Sequence, residues 1–397
     1  MLTTNVKRRD FCLVYDVTNG NPNGNPDDGG APRTDLDEYG EVTAECIKRK
    51  IRTAIAIMTG RDDGSSDDGY KMYVERGSVL NRAIRETYEQ AGIEIKPTGS
   101  TSPKKANGNG KTNGNGHAKA NGNGKAKAKA SSEDGSELSS DAASSEAATA
   151  ASGDEASEHK LEEKDMRVSA DEAKKGNVLL CKRFFDVRWF GAVVVGVGSG
   201  RLTGPLQLTM GKTVRPVELR QIGNTRCATT NEKQAEEQQG RNQNMSRRTI
   251  ISHGVYLQQG FLNAFQAKNT GFTEADWDMF LEALKAMFEI DRASGRGFMT
   301  LRQVVIFEHD NPLGNARAAD LFKLLQVKPS NPEESATSFE DYVTTIDRSK
   351  LPAGVTLKLL YPEDEVATEA VAETGEPKTE TAAPHNGKAK KDASANA

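Results

Sequence analysis

Between Thr98 and Lys160 the chain has one large apolar residue, Leu138. A stretch of that composition cannot bury enough apolar surface to offset the entropy of ordering it, so it reads as disordered. The stretch has two halves of opposite sign: residues 104–130 repeat Asn-Gly and Lys-Ala units with seven Lys and no acid, and residues 131–163 carry ten acids and one Lys. A second poor segment starts near residue 363, where Val366 and Val371 are the only large apolar residues left. Any core must therefore come from residues 1–97 and 165–362, with 98–164 as a low-complexity insertion and 363–397 as a disordered tail. Closing a chain around such an insertion costs little, because closure entropy grows only logarithmically with loop length.

Cys12, Cys46, Cys181 and Cys227 are too few and too scattered for a disulfide scaffold, and no C-x-x-C pair marks a zinc site. No run of 18 apolar residues spans a membrane, so a reducing cytoplasm is the expected compartment. The net charge of −4 argues against nucleic acid, but its distribution does not. Residues 176–250 hold 12 Lys or Arg against 5 acids, whereas the last 72 residues hold 8 against 13. The first of these segments is a candidate phosphate footprint.

Residues 10–17 (DFCLVYDV) predict a strand that stops at an Asn/Gly/Pro cluster, and residues 18–39 a long loop. Ala44, Ile47, Ile51, Ala54, Ile55 and Met58 recur at helical spacing behind Thr43, an expected N-cap. Further helices are expected at 76–90, 273–288 and 317–327, and the end of another at 178–185. Strands are expected at 191–197, 249–265, 301–308, 342–346 and 355–360, with 206–230 β-rich and basic. The order strand, helix, strand, helix, strand predicts an α+β fold with a ferredoxin-like or RRM-like palm carrying large insertions.

Several motifs fail. Gly211-Lys212-Thr213 lacks the upstream glycine and the following helix of a phosphate loop. The Asn/Asp loop after the first strand fits no calcium-loop frame, and the glycines at 196, 198 and 200 open no helix. His253 and His309 stand alone and read as structural, as does Cys46. No metal or cofactor is expected. The helix does carry Lys48, Arg49 and Arg52 on its polar side, Arg49 and Arg52 three residues apart, and with Arg33 from the loop these cations suit a run of phosphates.

The ordered set NGNPNGNPD, GAPRTD, CIKRKIR, FFDVRWFGAV, GPLQLT, TNE and HGVYLQQGF, across residues 10–96 and 176–360, resembles the type I-C (Csd-two-like) CRISPR-associated backbone proteins of the Cas-seven family, in the RAMP superfamily. The resemblance does not extend to the insertion or the tail. It implies a non-catalytic subunit that binds CRISPR guide RNA, stacks in several copies along it, and presents it for pairing with target DNA. Other Cascade subunits, Cas-five-like and Cas-eight-like, are the implied partners. It also implies a palm, a helical finger region and a β-hairpin thumb. Arg33, Lys48, Arg49 and Arg52 match its phosphate-gripping loop and helix. Residues 206–230 match the thumb, with Arg220 and Arg226 toward RNA and Ile222 as the base wedge. Two other readings remain open. One is a RAMP endoribonuclease using a loop carboxylate (Asp27, Asp28, Asp35 or Asp37), and the other a self-contained RRM-type module that stacks bases on sheet aromatics.

Overall fold

The computed structural model describes residues 6–60, 69–97, 166–194, 200–226, 232–237 and 244–360. The two low-complexity segments expected at 98–164 and 363–397 lie outside them.

The first half runs β1 (Arg9–Gly20), β2 (Tyr39–Val42), α1 (Ala44–Met58), α2 (Leu80–Gln90), β3 (Lys96–Pro97), β4 (Met166–Arg167), α3 (Ala170–Arg183), α4 (Phe185–Phe190) and β5 (Gly191–Val194). Next come β6 (Gly200–Thr203), β7 (Leu206–Leu208), β8 (Gly211–Pro216), β9 (Leu219–Arg226), α5 (Glu232–Glu237) and β10 (Asn244–Leu262). The chain continues through α6 (Ala264–Thr270), α7 (Glu274–Ile290), β11 (Phe298–His309), α8 (Ala318–Phe322), β12 (Leu325–Pro329), β13 (Tyr342–Ile346) and β14 (Val355–Leu360).

The central sheet has the order β14-β11-β1-β10-β8-β2, all neighbours antiparallel. Its heart, β11-β1-β10-β8, is the 4-1-3-2 order of a ferredoxin-like unit, with α1 and α7 as the two crossover helices. The α+β palm expected from sequence is therefore present. Alternation along β1 explains the layering. Phe11, Leu13, Tyr15 and Val17 face a core shared with Ile47, Ile51 and Ile55 of α1 and with Trp277, Phe280 and Leu284 of α7. Cys12 and Val14 face the opposite core, with Phe307, Leu321 and Val327. Thr43 caps α1 as expected, its hydroxyl accepting from the Cys46 N–H.

Some expectations need correction. The helix expected at 317–327 ends at Phe322, because Leu325 and Val327 are buried while Gln326 and Lys328 are exposed, a period of two. That strand pairs with β13 in its own hairpin, so of the two late strands only β14 joins the central sheet. The helix expected from residue 76 begins at Leu80. Of the strand expected at 191–197, residues 195–197 lie outside the described residues, and Gly191–Val194 form a half-exposed strand paired with β6. The helical region α2–α4 has its own small core of Tyr73, Ile84, Tyr88, Leu180 and Phe184. Finally, β3 and β4 pair Lys96 with Arg167 and Pro97 with Met166, so the chain entering residue 98 lies beside the chain leaving residue 165.

Candidate nucleic-acid interface

At the end of β1 the Asn-Gly turn makes a close approach that only glycine permits. A Cβ on Gly20 would sit 2.0 Å from the Arg296 carbonyl oxygen, and one on Gly297 2.4 Å from that of Asn19. The Asn21 N–H donates to the Gly295 carbonyl at 2.9 Å, fastening the loop after β1 to the loop between α7 and β11. The same loop reaches α1, where the Asn23 side chain accepts from the Thr43 N–H at 2.9 Å. Three segments distant in sequence thus meet at one corner of the sheet.

Asp291 sits at this corner, 8% exposed, and takes three cations: Lys50 Nζ and Arg49 Nη2 at 2.6 Å each, and Arg296 Nη1. Burial alone would raise the Asp291 carboxyl; the hydrogen bonds and charges of Lys50 and Arg49 outweigh it and hold the group below its ordinary 3.8. Lys50 is 1% exposed, and burial pulls its ammonium down despite that carboxylate. One carboxylate for three cations leaves a net positive corner.

Beside it stands a two-stranded ribbon. β9 pairs with the first half of β10, from Leu219↔Ile251 to Arg226↔Asn244, and residues 218–225 are all exposed. The thumb expected over 206–230, of which 227–230 lie outside the described residues, therefore divides: β7 and β8 pair within the central sheet, while β9 pairs with the part of β10 that runs beyond β1. Arg220, Ile222 and Arg226 occupy alternate positions on one face; of Arg226 only the backbone is described. Ile222 is 39% exposed and opposite Arg248, which donates to Ser294 Oγ at 3.2 Å. Arg220 donates to Asn19 Oδ1 at 2.6 Å. Arg248 thus ties the ribbon to the loop that carries Asp291, and Arg220 ties its root to the end of β1.

The remaining expected cations are placed differently. Lys48 and Arg52 flank the Phe190 ring, 5.4 and 5.2 Å from its centre, in a cleft of about 590 Å³ that Arg49 and Arg76 also line. Arg52 is not a free phosphate ligand in this arrangement. Its Nε lies 2.8 Å from Asp186, a buried carboxylate that also accepts from the Tyr73 and Val74 N–H groups. Burial lowers the Lys48 ammonium below the usual 10.5, outweighing the nearby Glu45 carboxylate on the same helix. Arg33 is not part of that cleft; its Nε is buried without an acceptor. The FFDVRWF stretch is an internal brace: Asp186 holds Arg52, while Arg188 and Trp189 hold the buried Asp276.

Sequence reading missed Lys50, Arg296 and Asp291. Lys50 shares the apolar side of α1 with Ile47 and Ile51, a position where a lysine signals a buried partner, and Asp-Arg-Ala-Ser-Gly-Arg-Gly at 291–297 is the charged, glycine-bearing loop that supplies one. Of the loop aspartates, Asp35 acts as a turn former. Asp35 accepts from the Asp37 and Tyr39 N–H groups and pairs with Lys212 at 2.5 Å. Among the described residues no three His, Cys, Asp or Glu side chains are close enough to hold a metal ion. The aromatics in the middle of the sheet are spent on the cores, Tyr15 stacking on Tyr256 with both fully buried, while Phe298 at the start of β11 is 53% exposed, with Arg292 over its ring. His309 is structural: the Asn315 N–H donates to its Nδ1, which leaves Nε2–H to donate to Asp10.

A family model for CRISPR-associated protein Cas7 matches residues 7–347, and the chain belongs to that family. No curated protein sequence matches it. Among solved structures, it is similar to a chain of a "CRISPR RNA-guided surveillance complex, pre-nicking", at 14% identity and a TM-score of 0.41, covering 79% of this chain and 81% of that one. A chain of a "CRISPR RNA-guided surveillance complex" is similar at 12% identity and a TM-score of 0.36, with coverages of 78% and 72%.

Proposed function

We propose that this protein is a non-catalytic backbone subunit that grips CRISPR guide RNA by its phosphates, in a type I-C Cascade-type complex acting against invading DNA in the cytoplasm. Family membership supports the setting, and the carrying observation is the Asp291 corner, where three cations share one carboxylate beside an exposed basic ribbon. Guanidinium groups that stay exposed at this corner and on the ribbon, such as Arg49, recognise the repeating phosphates, which are alike in every guide. The bases stay free to read a target, so the protein can remain constant while guides vary. Copies would repeat head to tail along the RNA through two different patches, as an open helical array requires. Cas-five-like and Cas-eight-like subunits would complete the assembly.

The test is co-expression of the full chain with a guide RNA and those partners, followed by native mass spectrometry. Several copies per RNA, increasing with guide length, are expected; a fixed single copy would refute the proposal. Incubating the purified protein with labelled target RNA and magnesium addresses the nuclease reading, which predicts cleavage that is lost in Asp27→Asn or Asp28→Asn.

A further inference from the structure

On the sheet face opposite α1, at the root of the ribbon, lies a second cleft of about 430 Å³. Strand alternation puts Thr18 on the side of Cys12 and Val14, and β10 pairs His253 directly with it. The lining shares no residue with the Lys48–Arg52 cleft.

Four of its groups set the chemistry of the cleft. The His253 side chain is 8% exposed; its Nδ1 meets the Thr18 hydroxyl at 3.0 Å, and its Nε2 is buried without a partner. Ser252, the preceding residue of β10 and also on the lining, has its Oγ buried without a partner. Arg215 is held by the carbonyl oxygens of Glu334 (2.8 Å) and Pro332 (3.2 Å), and Arg220 by the Asn19 carboxamide. Carbonyl and amide oxygens orient a guanidinium without neutralising it, and neither arginine has an ion-pair partner among the described residues. Glu218 is the only carboxylate on the lining. Of the acids that act on His253 from neighbouring elements, Asp16 is taken by Arg302, and Asp341 by the amides of Thr337 and Ser338; Glu340 acts from farther along the same loop.

We propose that this cleft is a second phosphate-binding site, in which Arg215 and Arg220 supply the charge and His253 Nε2 and Ser252 Oγ supply hydrogen bonds. A buried polar atom left unpaired is costly, and two such atoms on lining residues of a cleft that also holds two guanidinium groups without ion-pair partners match the oxygens of a phosphate. The inference rests on the nucleic-acid reading only for the source of that phosphate. Burial holds the imidazole below its usual 6.5, against the pull of Asp16 and Asp341. An anion at Nε2 favours the imidazolium, so binding should raise the His253 titration midpoint and strengthen as pH falls toward it.

The experiment is NMR of the full chain with ¹³C-labelled histidine, His253 being assigned by the resonance lost in His253→Gln. Inorganic phosphate should shift that resonance saturably and raise its midpoint, leaving His309 unmoved. Arg215→Gln and Arg220→Gln should each weaken phosphate binding roughly tenfold, the loss of one charge-assisted contact. A mixed-sequence single-stranded RNA is the second probe: the same shift identifies a phosphodiester ligand, and a shift with phosphate alone identifies a free anion. A His253 resonance unmoved by both probes, or an affinity unchanged in both arginine variants, overturns the site. Fluorescence anisotropy of the same RNA, run in parallel, reports the nucleic-acid reading separately.

Discussion

Asp291→Asn isolates the charge balance of the proposed interface, because it keeps an oxygen acceptor in place and removes only the negative charge. Three cations lose their shared partner, but unequally. Arg49 is half exposed and Arg296 30% exposed, so both can turn to water at little cost. Lys50, 1% exposed, cannot. Stranding a buried charge costs about 3–5 kcal/mol, and with the amide oxygen retained the lower end applies, about 3 kcal/mol. Lys50→Met should cost about 1 kcal/mol, since Asp291 keeps both arginines. The double variant should then lose only about 2 kcal/mol, a coupling of about 2 kcal/mol against additivity. Urea unfolding of the four proteins reads this directly. A pH series adds a second check. In Asp291→Asn the folded pKa of Lys50 falls further below its unfolded value of 10.5. The penalty is therefore full at neutral pH and fades as the pH is raised toward that value. Additive single losses, or a deficit that widens in alkali, would refute the assignment of Lys50 as the stranded group.

Other perturbations follow from the same geometry. Arg52→Ala should cost about 2–4 kcal/mol in urea unfolding, because Asp186 stays buried with only backbone donors, and Arg52→Lys should recover part of it. Glu308 is held at about 2: burial would raise it, but Lys358, Lys7 and Arg9 outweigh that. Its stabilisation is present above 4.5 and disappears as pH falls toward 2. It should amount to about 1–2 kcal/mol after screening through its two half-exposed lysines, and be missing from the acid titration of Glu308→Gln. Joining β3 to β4 by a four-residue turn in place of residues 98–165 should leave the fold intact. Stability should rise by up to about 2 kcal/mol from the shorter loop, and guide affinity should change less than about threefold at physiological salt, measured by calorimetry and anisotropy. Gly20→Ala should disrupt the corner, lowering the melting temperature and weakening RNA binding together, because the clash is with backbone.

The palm was legible because its signals are local. The strand-loop-helix opening shows in the β-branched run of β1, the Asn/Gly/Pro stop and the Thr43 cap, and α7 shows in the spacing of Trp277, Phe280, Leu281, Leu284 and Phe288. The ferredoxin-like class of the palm followed from the order of those elements along the chain. Charge partners were not legible, because they are remote: Lys50 and Asp291 are 241 residues apart, and Arg52 and Asp186 are 134. In a Lys-Arg-Lys-Ile-Arg run every cation reads as a surface group, yet only the fold decides that Lys50 points inward and Arg52 braces α4. The helix expected at 317–327 overran for another reason: the short apolar stretch after α8 fits either period, and pairing with β13 decided for a strand.

A net charge of −4 and a phosphate-holding surface are compatible because of where the acids are spent. Asp10, Asp16, Asp186, Asp276, Asp291 and Glu308 are all buried or nearly so, each holding a cation or the imidazole of His309. These carboxylates add to the negative total while presenting little to solvent. The ribbon and the corner beside it keep Arg49, Arg220, Arg247 and Arg248 near the surface, with Asp291 more deeply buried. Phosphate contacts add to a salt slope of roughly 0.7 per contact on single-stranded nucleic acid, whatever the distant acids do, since a Debye length of about 8 Å screens them. A surface cation removed from this group should therefore reduce the slope by that step for every guide sequence. A residue such as Arg52, braced internally, should alter stability first and the slope little. Salt dependence thus separates cations that hold RNA from cations that hold the fold, a distinction that helix position alone would not reveal.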